Sequence, residues 1–192
     1  MKKVGVLALQ GDFEAHQKVL GRAGAEAVEV RTAAELEGVD GLVIPGGEST
    51  TMLKLLREEK LFEPLRQFGE RRPIFGTCAG TILLATEVSH PKQESLGLMD
   101  ISVERNGYGR QLDSHVAVGC PDDEFLRRTG DGDLEMVFIR APVIRRAGGD
   151  VKVLVEHRGA AVLVEQGRHL AATFHPELSA DERVHRLFLA KL

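Results

Sequence analysis

Short apolar runs alternate with amphipathic stretches through the first half of the chain. Each run is rich in Val, Ile and Leu and leads into a stretch of helical period; the runs are KVGVLAL, AVEV, GLVIP and PIFG, and the last leads into AGTILLATE. Apolar runs that each precede a helix are typical of buried parallel strands covered by helices. The pattern therefore predicts an α/β fold with a mostly parallel sheet whose strands are wound in sequence.

The pattern changes after about Leu98. Apolar runs now follow one another with only turn residues between them, as in MDISVER, DSHVAVG, EMVFIRAP and VKVLVEHRGAAVLVEQGRHLAATF. These runs predict antiparallel or mixed strands in the C-terminal half. A closing helix is predicted in SADERVHRLFLAKL, with Ser179 as its N-cap. The polar segments Ser89–Ser95 and Pro121–Asp133 are predicted to be exposed loops.

Length and composition exclude several classes of protein. A chain of 192 residues has the usual size of one domain, so residues 1–192 are expected to form a single unit. A net charge of -4 offers no basic excess for nucleic acid. The first apolar stretch, Val4–Leu9, is too short for a signal peptide or a membrane span. Two cysteines do not make a disulfide framework, so we expect a soluble protein of the reducing cytoplasm.

One of these cysteines, Cys78, lies at a sharp bend between an apolar run and a helical stretch. The sequence G-x-C-x-G, from Gly76 to Gly80, has the layout of a nucleophile elbow, in which glycines make room for a strained, accessible nucleophile. The start of a helix favours the thiolate, and the Ala79 N–H is free to bind an oxyanion. The alternative is a small buried core cysteine. Cys120 has no such setting, and no role is predicted for it.

A candidate base and its orienting group lie almost a hundred residues downstream, in AATFHPEL. In an extended segment His175 and Glu177 project from the same face, and Pro176 makes the local geometry rigid. With Cys78 they form a candidate Cys-His-Glu triad. A loop histidine beside a solvated glutamate is the alternative. The other six histidines, His16 and His185 among them, are predicted to be solvated or to have satisfied structural roles.

A second glycine-containing loop, VIPGGEST, ends another predicted strand. Gly46 and Gly47 permit close approach of a ligand to the backbone, and Ser49 or Thr50 is expected to cap the next helix. The loop lacks the spacing of a Walker A motif. A plain turn is the alternative reading.

Together G-G-E-S-T, G-T-C-A-G and H-P-E resemble the motifs of class I, or triad, glutamine amidotransferases in order and spacing. Four further stretches resemble a narrower family, the glutaminase subunits of bacterial pyridoxal phosphate synthases. They are LALQGDFEAH, VIPGGESTTM, ERNGYGRQ and VFIRAP. The resemblance extends from Lys3 to the last helix. It implies a flavodoxin-like α/β glutaminase that needs no metal or organic cofactor.

The resemblance also implies a set of site residues. The nucleophile is Cys78, completed by His175 and Glu177. The oxyanion donors are the backbone N–H groups of Gly47 and Ala79. The residues expected to bind L-glutamine are Gly46, Gly47, Glu48, Arg105, Ile139 and Arg140, and the partner-sensing loop is Gln10, Gly11 and Asp12.

The implied partner is a separate, barrel-shaped synthase subunit in a hetero-oligomer, with no membrane or nucleic acid involved. Residues 1–192 are too few to hold a second catalytic domain beside the α/β unit, so we expect the enzyme that uses the ammonia to be another polypeptide. A glutaminase that ran freely would waste glutamine. We therefore expect the free subunit to be poorly active because an oxyanion donor is misplaced until the synthase docks.

Three rival functions remain open from the sequence. The first is a glutaminase subunit of another synthase, such as the one that makes imidazole glycerol phosphate; ERNGYGRQ and FIRAP favour the pyridoxal family. The second is a small peptidase or deglycase with a similar elbow cysteine, a class that usually lacks H-P-E. The third is a non-catalytic interaction module on an amidotransferase scaffold, against which the intact triad argues.

Overall fold

Strands and helices alternate through the first half of the computed structural model, which describes residues 1–107 and 114–192. The elements are β1 (Lys3–Leu7), α1 (Phe13–Arg22), β2 (Glu26–Val30), α2 (Ala33–Glu37), β3 (Gly41–Ile44), α3 (Ser49–Glu58), α4 (Phe62–Arg71), β4 (Ile74–Thr77), α5 (Ala79–Leu84) and β5 (Ala85–Ser89).

Strands dominate the second half. The elements are β6 (Met99–Glu104), β7 (Ser114–Gly119), α6 (Asp123–Thr129), β8 (Leu134–Ile139), β9 (Val143–Ala147), β10 (Lys152–His157), β11 (Ala160–Gln166), β12 (His169–Ala172), a 3-10 helix (Pro176–Leu178) and α7 (Arg183–Leu189).

The main sheet of the described residues has the strand order β2-β1-β3-β4-β12-β11-β9-β6-β5, with β10 paired to β11. Strands β2, β1, β3, β4 and β12 pair in parallel. Their order is that of flavodoxin-like sheets. Strands β11, β9 and β6 continue the sheet with antiparallel pairings, and β7 pairs with β8 in a separate ribbon. The prediction of an α/β fold with antiparallel strands in its C-terminal half is confirmed.

Two apolar clusters cover the two faces of the parallel strands. Alternate residues of β3 belong to different clusters, Leu42 and Ile44 to one and Val43 to the other, because successive side chains of a strand point to opposite faces. Helices α2 to α5 contribute to the first cluster and α1, α6 and α7 to the second. Burial on both faces explains why the strands read as continuous apolar runs.

Three local predictions are wrong. Helix α7 begins at Arg183, and Ser179 instead accepts a hydrogen bond from the Asp181 N–H at 2.8 Å. The segment Pro121–Asp133 contains α6, which Asp122 caps through the Phe125 N–H at 2.7 Å. The stretch AGTILLATE is divided between α5 and β5.

Part of one sequence motif, Tyr108–Gln111 of ERNGYGRQ, lies outside the described residues, as does Asp113. In the ranges that the structure does describe, every helix is too short or too polar to cross a membrane.

Candidate active site

Four loops that follow parallel strands meet at one edge of the sheet. Gln10 follows β1, Gly46 follows β3, Cys78 follows β4 and His175 follows β12. Because the carboxyl ends of parallel strands share an edge, residues far apart in sequence are brought together there. A cavity of about 340 Å³ opens at this edge, within the usual size range of small-molecule sites. It is lined by Gly47, Glu48, Ser49, Cys78, Ile82, Arg105, Asn106, Ile139, Arg140 and His175.

Cys78 occupies the tight bend that the sequence predicted. Its φ of 48° and ψ of -104° are outside the regions that an L-residue ordinarily adopts. The flanking glycines make this bend possible: a Cβ on Gly76 would lie 2.6 Å from the Gly80 carbonyl, and one on Gly80 would overlap the Ile44 carbonyl oxygen. The Cys78 Sγ lies 3.8 Å from the Ile139 carbonyl oxygen. The strand-to-helix elbow is therefore present, with its sulfur at the cavity.

His175 and Glu177 form a buried pair beside Cys78. His175 Nδ1 lies 2.6 Å from Glu177 Oε1, and the His175 N–H donates to the Val137 carbonyl at 2.8 Å, which ties the residue to β8. The expectation of an extended segment is wrong for the residues after His175, because Pro176–Leu178 form a 3-10 turn. The two side chains nevertheless meet, because this turn brings the carboxylate back to the ring.

The protonation of His175 is set by its two neighbours. Burial lowers the pKa of the imidazole, but the interactions with the Cys78 thiol and the Glu177 carboxylate outweigh it and raise the pKa to about 10. The ring is therefore an imidazolium at neutral pH. An imidazolium beside a thiol favours the reactive thiolate.

The Gly46–Glu48 loop forms the wall of the site facing these two side chains. A Cβ on Gly46 would overlap the His175 ring and lie 3.3 Å from the Cys78 Cβ, so only glycine fits between them. Gly47 has a φ of 154° and packs its Cα against the Gln10 side chain. Glycine at both positions is thus required by the packing of the protein's own side chains, and close approach of a ligand to this backbone stays a prediction.

Glu48, rather than Ser49 or Thr50, caps α3. Its carboxylate accepts from the N–H groups of Thr50 at 3.1 Å and Thr51 at 2.7 Å. Partial burial raises the pKa of this carboxyl, but these hydrogen bonds and that of the Thr51 hydroxyl lower it to about 2. Arg105 Nη2 lies 3.3 Å from Glu48 Oε1 and donates to Thr50 Oγ1 at 2.8 Å. The cavity rim therefore carries an ionised carboxylate beside a guanidinium.

The remaining predicted residues fall into two groups. Ile139 and Arg140 line the cavity at the end of β8, and Arg140 has a φ of 46°. Ala79 is buried at the first position of α5, directly behind Cys78, and does not line the cavity. Backbone N–H groups in the first turn of a helix have no intrahelical acceptor.

The segment Gln10–Asp12 contacts the glycine loop from outside the cavity. Gln10 Oε1 accepts from the Glu48 N–H at 3.0 Å. Gly11, with a φ of 93°, lies so close to the Gly46 carbonyl oxygen that a Cβ would overlap it. Asp12 accepts from the Ala15 N–H at 3.4 Å and so caps α1. A displacement of this segment would therefore be transmitted directly to Gly46 and Gly47.

Several neighbours of the site were not singled out from the sequence. Asn106 and Ile82 line the cavity, and His16 is fully buried behind Glu177. His16 shares the buried face of α1 with Val19 and Leu20 at i+3 and i+4, a spacing that could have identified it as inward-facing. Among the described residues, no three His, Cys, Asp or Glu side chains are grouped as metal ligands would be.

Comparison with known proteins places the chain in a family. The model of the SNO glutamine amidotransferase family matches residues 6–192. The chain belongs to this family. It is 60% identical over 192 residues to the pyridoxal 5'-phosphate synthase subunit PdxT of Solibacter usitatus, covering all of both chains. It is 56% identical over 190 residues to the PdxT subunit of Pelotomaculum thermopropionicum, covering 98% of this chain and 94% of that one.

Structural comparison agrees with this family membership. A solved structure described as a glutamine amidotransferase superposes with a TM-score of 0.88 at 48% identity, covering 98% of this chain and 97% of that one. The resemblance drawn from G-G-E-S-T, G-T-C-A-G and H-P-E is confirmed at the level of the family, and the flavodoxin-like α/β fold is confirmed with it.

Proposed function

We propose that this chain is the glutaminase subunit of a pyridoxal 5'-phosphate synthase. It hydrolyses the side-chain amide of L-glutamine to glutamate and ammonia, and a separate synthase subunit consumes the ammonia. The observation that carries the proposal is that Cys78 and His175 line one cavity, with Glu177 Oε1 buried 2.6 Å from His175 Nδ1. Full-length identity of 60% to a PdxT subunit supports the pyridoxal synthase over the imidazole glycerol phosphate synthase as the destination of the ammonia.

The reaction begins with attack of the Cys78 thiolate on the amide carbon of glutamine. The tetrahedral oxyanion is held by the backbone N–H groups of Gly47 and Ala79, each worth about 3 kcal/mol by precedent. His175 protonates the departing nitrogen, which its raised pKa of about 10 equips it to do. Ammonia leaves and a γ-glutamyl thioester remains.

Hydrolysis of the thioester completes the cycle. His175 is neutral once it has protonated the nitrogen, so it accepts a proton from water, and the resulting hydroxide attacks the thioester. The thiolate is expelled and glutamate is released. Glu177 holds the imidazole through Nδ1 and leaves Nε2 to exchange protons with sulfur, nitrogen and water.

The charges at the cavity suit a zwitterionic amino acid. Two guanidinium groups, those of Arg105 and Arg140, are available for the α-carboxylate of glutamine. The Arg105 side chain is only 15% exposed. Glu48, ionised at neutral pH because of its lowered pKa, offers a partner for the α-ammonium group. Gly46, Gly47 and Ile139 shape the wall along which the side-chain amide reaches Cys78.

The Gln10–Asp12 segment is the proposed sensor of the synthase subunit, which we take to be a barrel. Its contacts with Gly46 and Glu48 connect an accessible loop to the proposed oxyanion donor at Gly47. Docking of the synthase on Gln10–Asp12 would reposition that donor, so the free subunit is expected to be slow. The proposal treats residues 1–192 as one amidotransferase domain of the reducing cytoplasm, which keeps a thiol nucleophile reduced.

Ammonia release from glutamine, with and without the synthase subunit, tests the function. Cys78→Ala should abolish hydrolysis while leaving thermal unfolding and synthase binding unchanged. The control is Cys120→Ala, since Cys120 is exposed and does not line the cavity; this variant should keep full activity. Retained hydrolysis in Cys78→Ala would show that the nucleophile is elsewhere, and equal rates with and without the synthase would defeat the sensing role of Gln10–Asp12.

A further inference from the structure

Two fully buried histidines lie behind the triad carboxylate, on the side away from the cavity. His16 is on α1 and His185 is on α7, and neither exposes any surface. His16 Nδ1 lies 3.0 Å from His185 Nε2. The other ring nitrogen of His16, Nε2, lies 3.1 Å from Thr77 Oγ1 and 3.4 Å from Glu177 Oε2. A continuous polar row therefore runs from Cys78 through His175, Glu177 and His16 to His185.

Both rings are neutral. Burial is the main cause that lowers the pKa of His16, and His185 and His175 lower it further. Burial likewise lowers the pKa of His185 to about 3. A neutral imidazole has one N–H donor and one acceptor nitrogen, so the row has only two arrangements of its protons.

In the first arrangement His185 donates from Nε2 to His16 Nδ1, and His16 Nε2–H points at Thr77 and Glu177. This gives the Glu177 Oε2 a facing donor, and it leaves only the lone pair of His185 Nδ1 without a partner. Among the described residues Glu177 Oε2 and His185 Nδ1 are both buried without a hydrogen-bond partner. The hydrogen bond of His16 Nε2 goes to Thr77 Oγ1, and its contact with Glu177 Oε2 at 3.4 Å is electrostatic.

In the second arrangement His16 donates from Nδ1 to His185 Nε2. The proton of His185 then lies on Nδ1, where it is a buried donor with no acceptor among the described residues. His16 Nε2 then accepts from the Thr77 hydroxyl at 3.1 Å, but its lone pair also faces Glu177 Oε2 at 3.4 Å, which is repulsive. Both consequences are costly in a buried site, so the first arrangement is favoured.

We propose that His16 is a positioning residue of the triad: its Nε2–H faces the second oxygen of Glu177 and holds the carboxylate in the orientation in which the first oxygen binds His175. His185 fixes the tautomer of His16 by donating to Nδ1. This rests on the glutaminase function proposed above and adds two residues to it. His16 touches neither the cavity nor the reacting atoms, so it acts through Glu177 alone.

The tautomer of His16 can be measured in the unmodified protein. Nitrogen-15 NMR of the ring distinguishes a protonated from an unprotonated nitrogen, and the expected result at neutral pH is a proton on Nε2 and none on Nδ1 in both His16 and His185. A proton on His16 Nδ1 would overturn the proposal, because Glu177 would then face no donor. This measurement needs neither turnover nor a folded variant.

Two substitutions with side chains of similar length distinguish the loss of the His16 N–H donor from the loss of its packing. His16→Gln keeps an N–H donor near the position of Nε2, whereas His16→Met fills a similar volume without one. With the synthase subunit present, His16→Met is expected to lower kcat by about 10- to 100-fold, the usual effect of losing a group that orients a site residue. The KM for glutamine should stay unchanged, and His16→Gln should recover most of the lost kcat.

His169 supplies the matched control. It is buried at the opposite end of β12 from the site and accepts from the Ile74 N–H at 3.2 Å. His169→Met and His169→Gln are expected to lower the unfolding temperature while keeping kcat. The proposal would be overturned if His16→Met had the same kcat as the wild type. It would also be overturned if His16→Met and His16→Gln lost kcat equally at matched stability. Absence of hydrolysis by the wild-type complex would instead defeat the glutaminase function and leave the tautomer result standing.

Discussion

His175 Nδ1 and Glu177 Oε1 are 2.6 Å apart, two residues from each other in the chain and both buried. The imidazole moves the proton, whereas the carboxylate only orients the ring. His175→Asn should therefore reduce kcat more than Glu177→Gln, by roughly two orders of magnitude if the pair behaves like the corresponding groups of a serine protease. Steady-state hydrolysis of glutamine by the two reconstituted complexes measures the difference, and a larger loss in Glu177→Gln would refute the assigned roles.

The same pair predicts a pH dependence. The charge and hydrogen bond of Glu177 help to raise the pKa of His175 to about 10. The alkaline limb of kcat/KM should thus lie near pH 10 rather than near 6.5, the ordinary value for histidine. Glu177→Gln removes one cause of the upward shift, so the limb should move to lower pH. A profile of kcat/KM against pH for both proteins checks this, and an unmoved limb would contradict it.

A pair of glycine variants tests the connection between the Gln10–Asp12 segment and the site. Gly11 and Gly24 have nearly the same φ, 93° and 89°, but a Cβ on Gly11 meets the Gly46 carbonyl whereas one on Gly24 meets nothing within 4 Å. Both alanine variants should lose about 1 kcal/mol of stability from backbone strain, and Gly11→Ala should lose more because of its contact with Gly46. Only Gly11→Ala should also lower kcat/KM, by about 100-fold, because the oxyanion loop is displaced.

Thermal unfolding and hydrolysis, measured on the same preparations, separate the two effects. Equal loss of kcat/KM in Gly11→Ala and Gly24→Ala would mean that the contact with Gly46 has no catalytic importance.

Arg105 is expected to bind the α-carboxylate of glutamine. Arg105→Ala should raise the KM at least about tenfold, the size expected for a lost charged hydrogen bond of ~1.5–3 kcal/mol. Arg145→Ala is the control, because Arg145 is 52% exposed, pairs with Glu104 at 2.6 Å and does not line the cavity. Substrate saturation curves for both variants measure the effect. An unchanged KM in Arg105→Ala would remove this residue from the binding site.

The residues of the site that could be predicted are those that directly follow a strand of the parallel sheet. Cys78, Gly46 and His175 each follow an apolar run, and the parallel pairing of the runs brings them to the same edge. The residue types at those bends, with Glu177 two residues after His175, were enough to infer a candidate triad, and the order and spacing of the surrounding motifs indicated the family. This is why the family and the α/β fold could be inferred from one sequence.

The parts that could not be predicted depend on contacts between distant segments. The sequence left His16 as either a solvated or a satisfied structural histidine, and it could not show which, because the partner that buries it, His185, comes from α7 near the other end of the chain. Glu48 caps α3 because the helix begins at Ser49, earlier than a Ser49 or Thr50 cap requires, so the Glu48 carboxylate accepts from the Thr50 and Thr51 N–H groups. Helix α6 lies where the sequence predicts a loop, and it depends on burial of Phe125 in a cluster assembled from remote strands.

Covalent labelling with a diazoketone analogue of glutamine tests the central claim, that Cys78 is the nucleophile of a glutamine site. Once the diazo carbon has taken up a proton, the thiolate displaces dinitrogen from it and forms a stable thioether. Peptide mass analysis of the complex with its synthase subunit should locate the label on Cys78, with glutamine protecting it and no label on Cys120. The claim would be contradicted if the label lay on Cys120, if glutamine did not prevent labelling, or if Cys78 remained unlabelled.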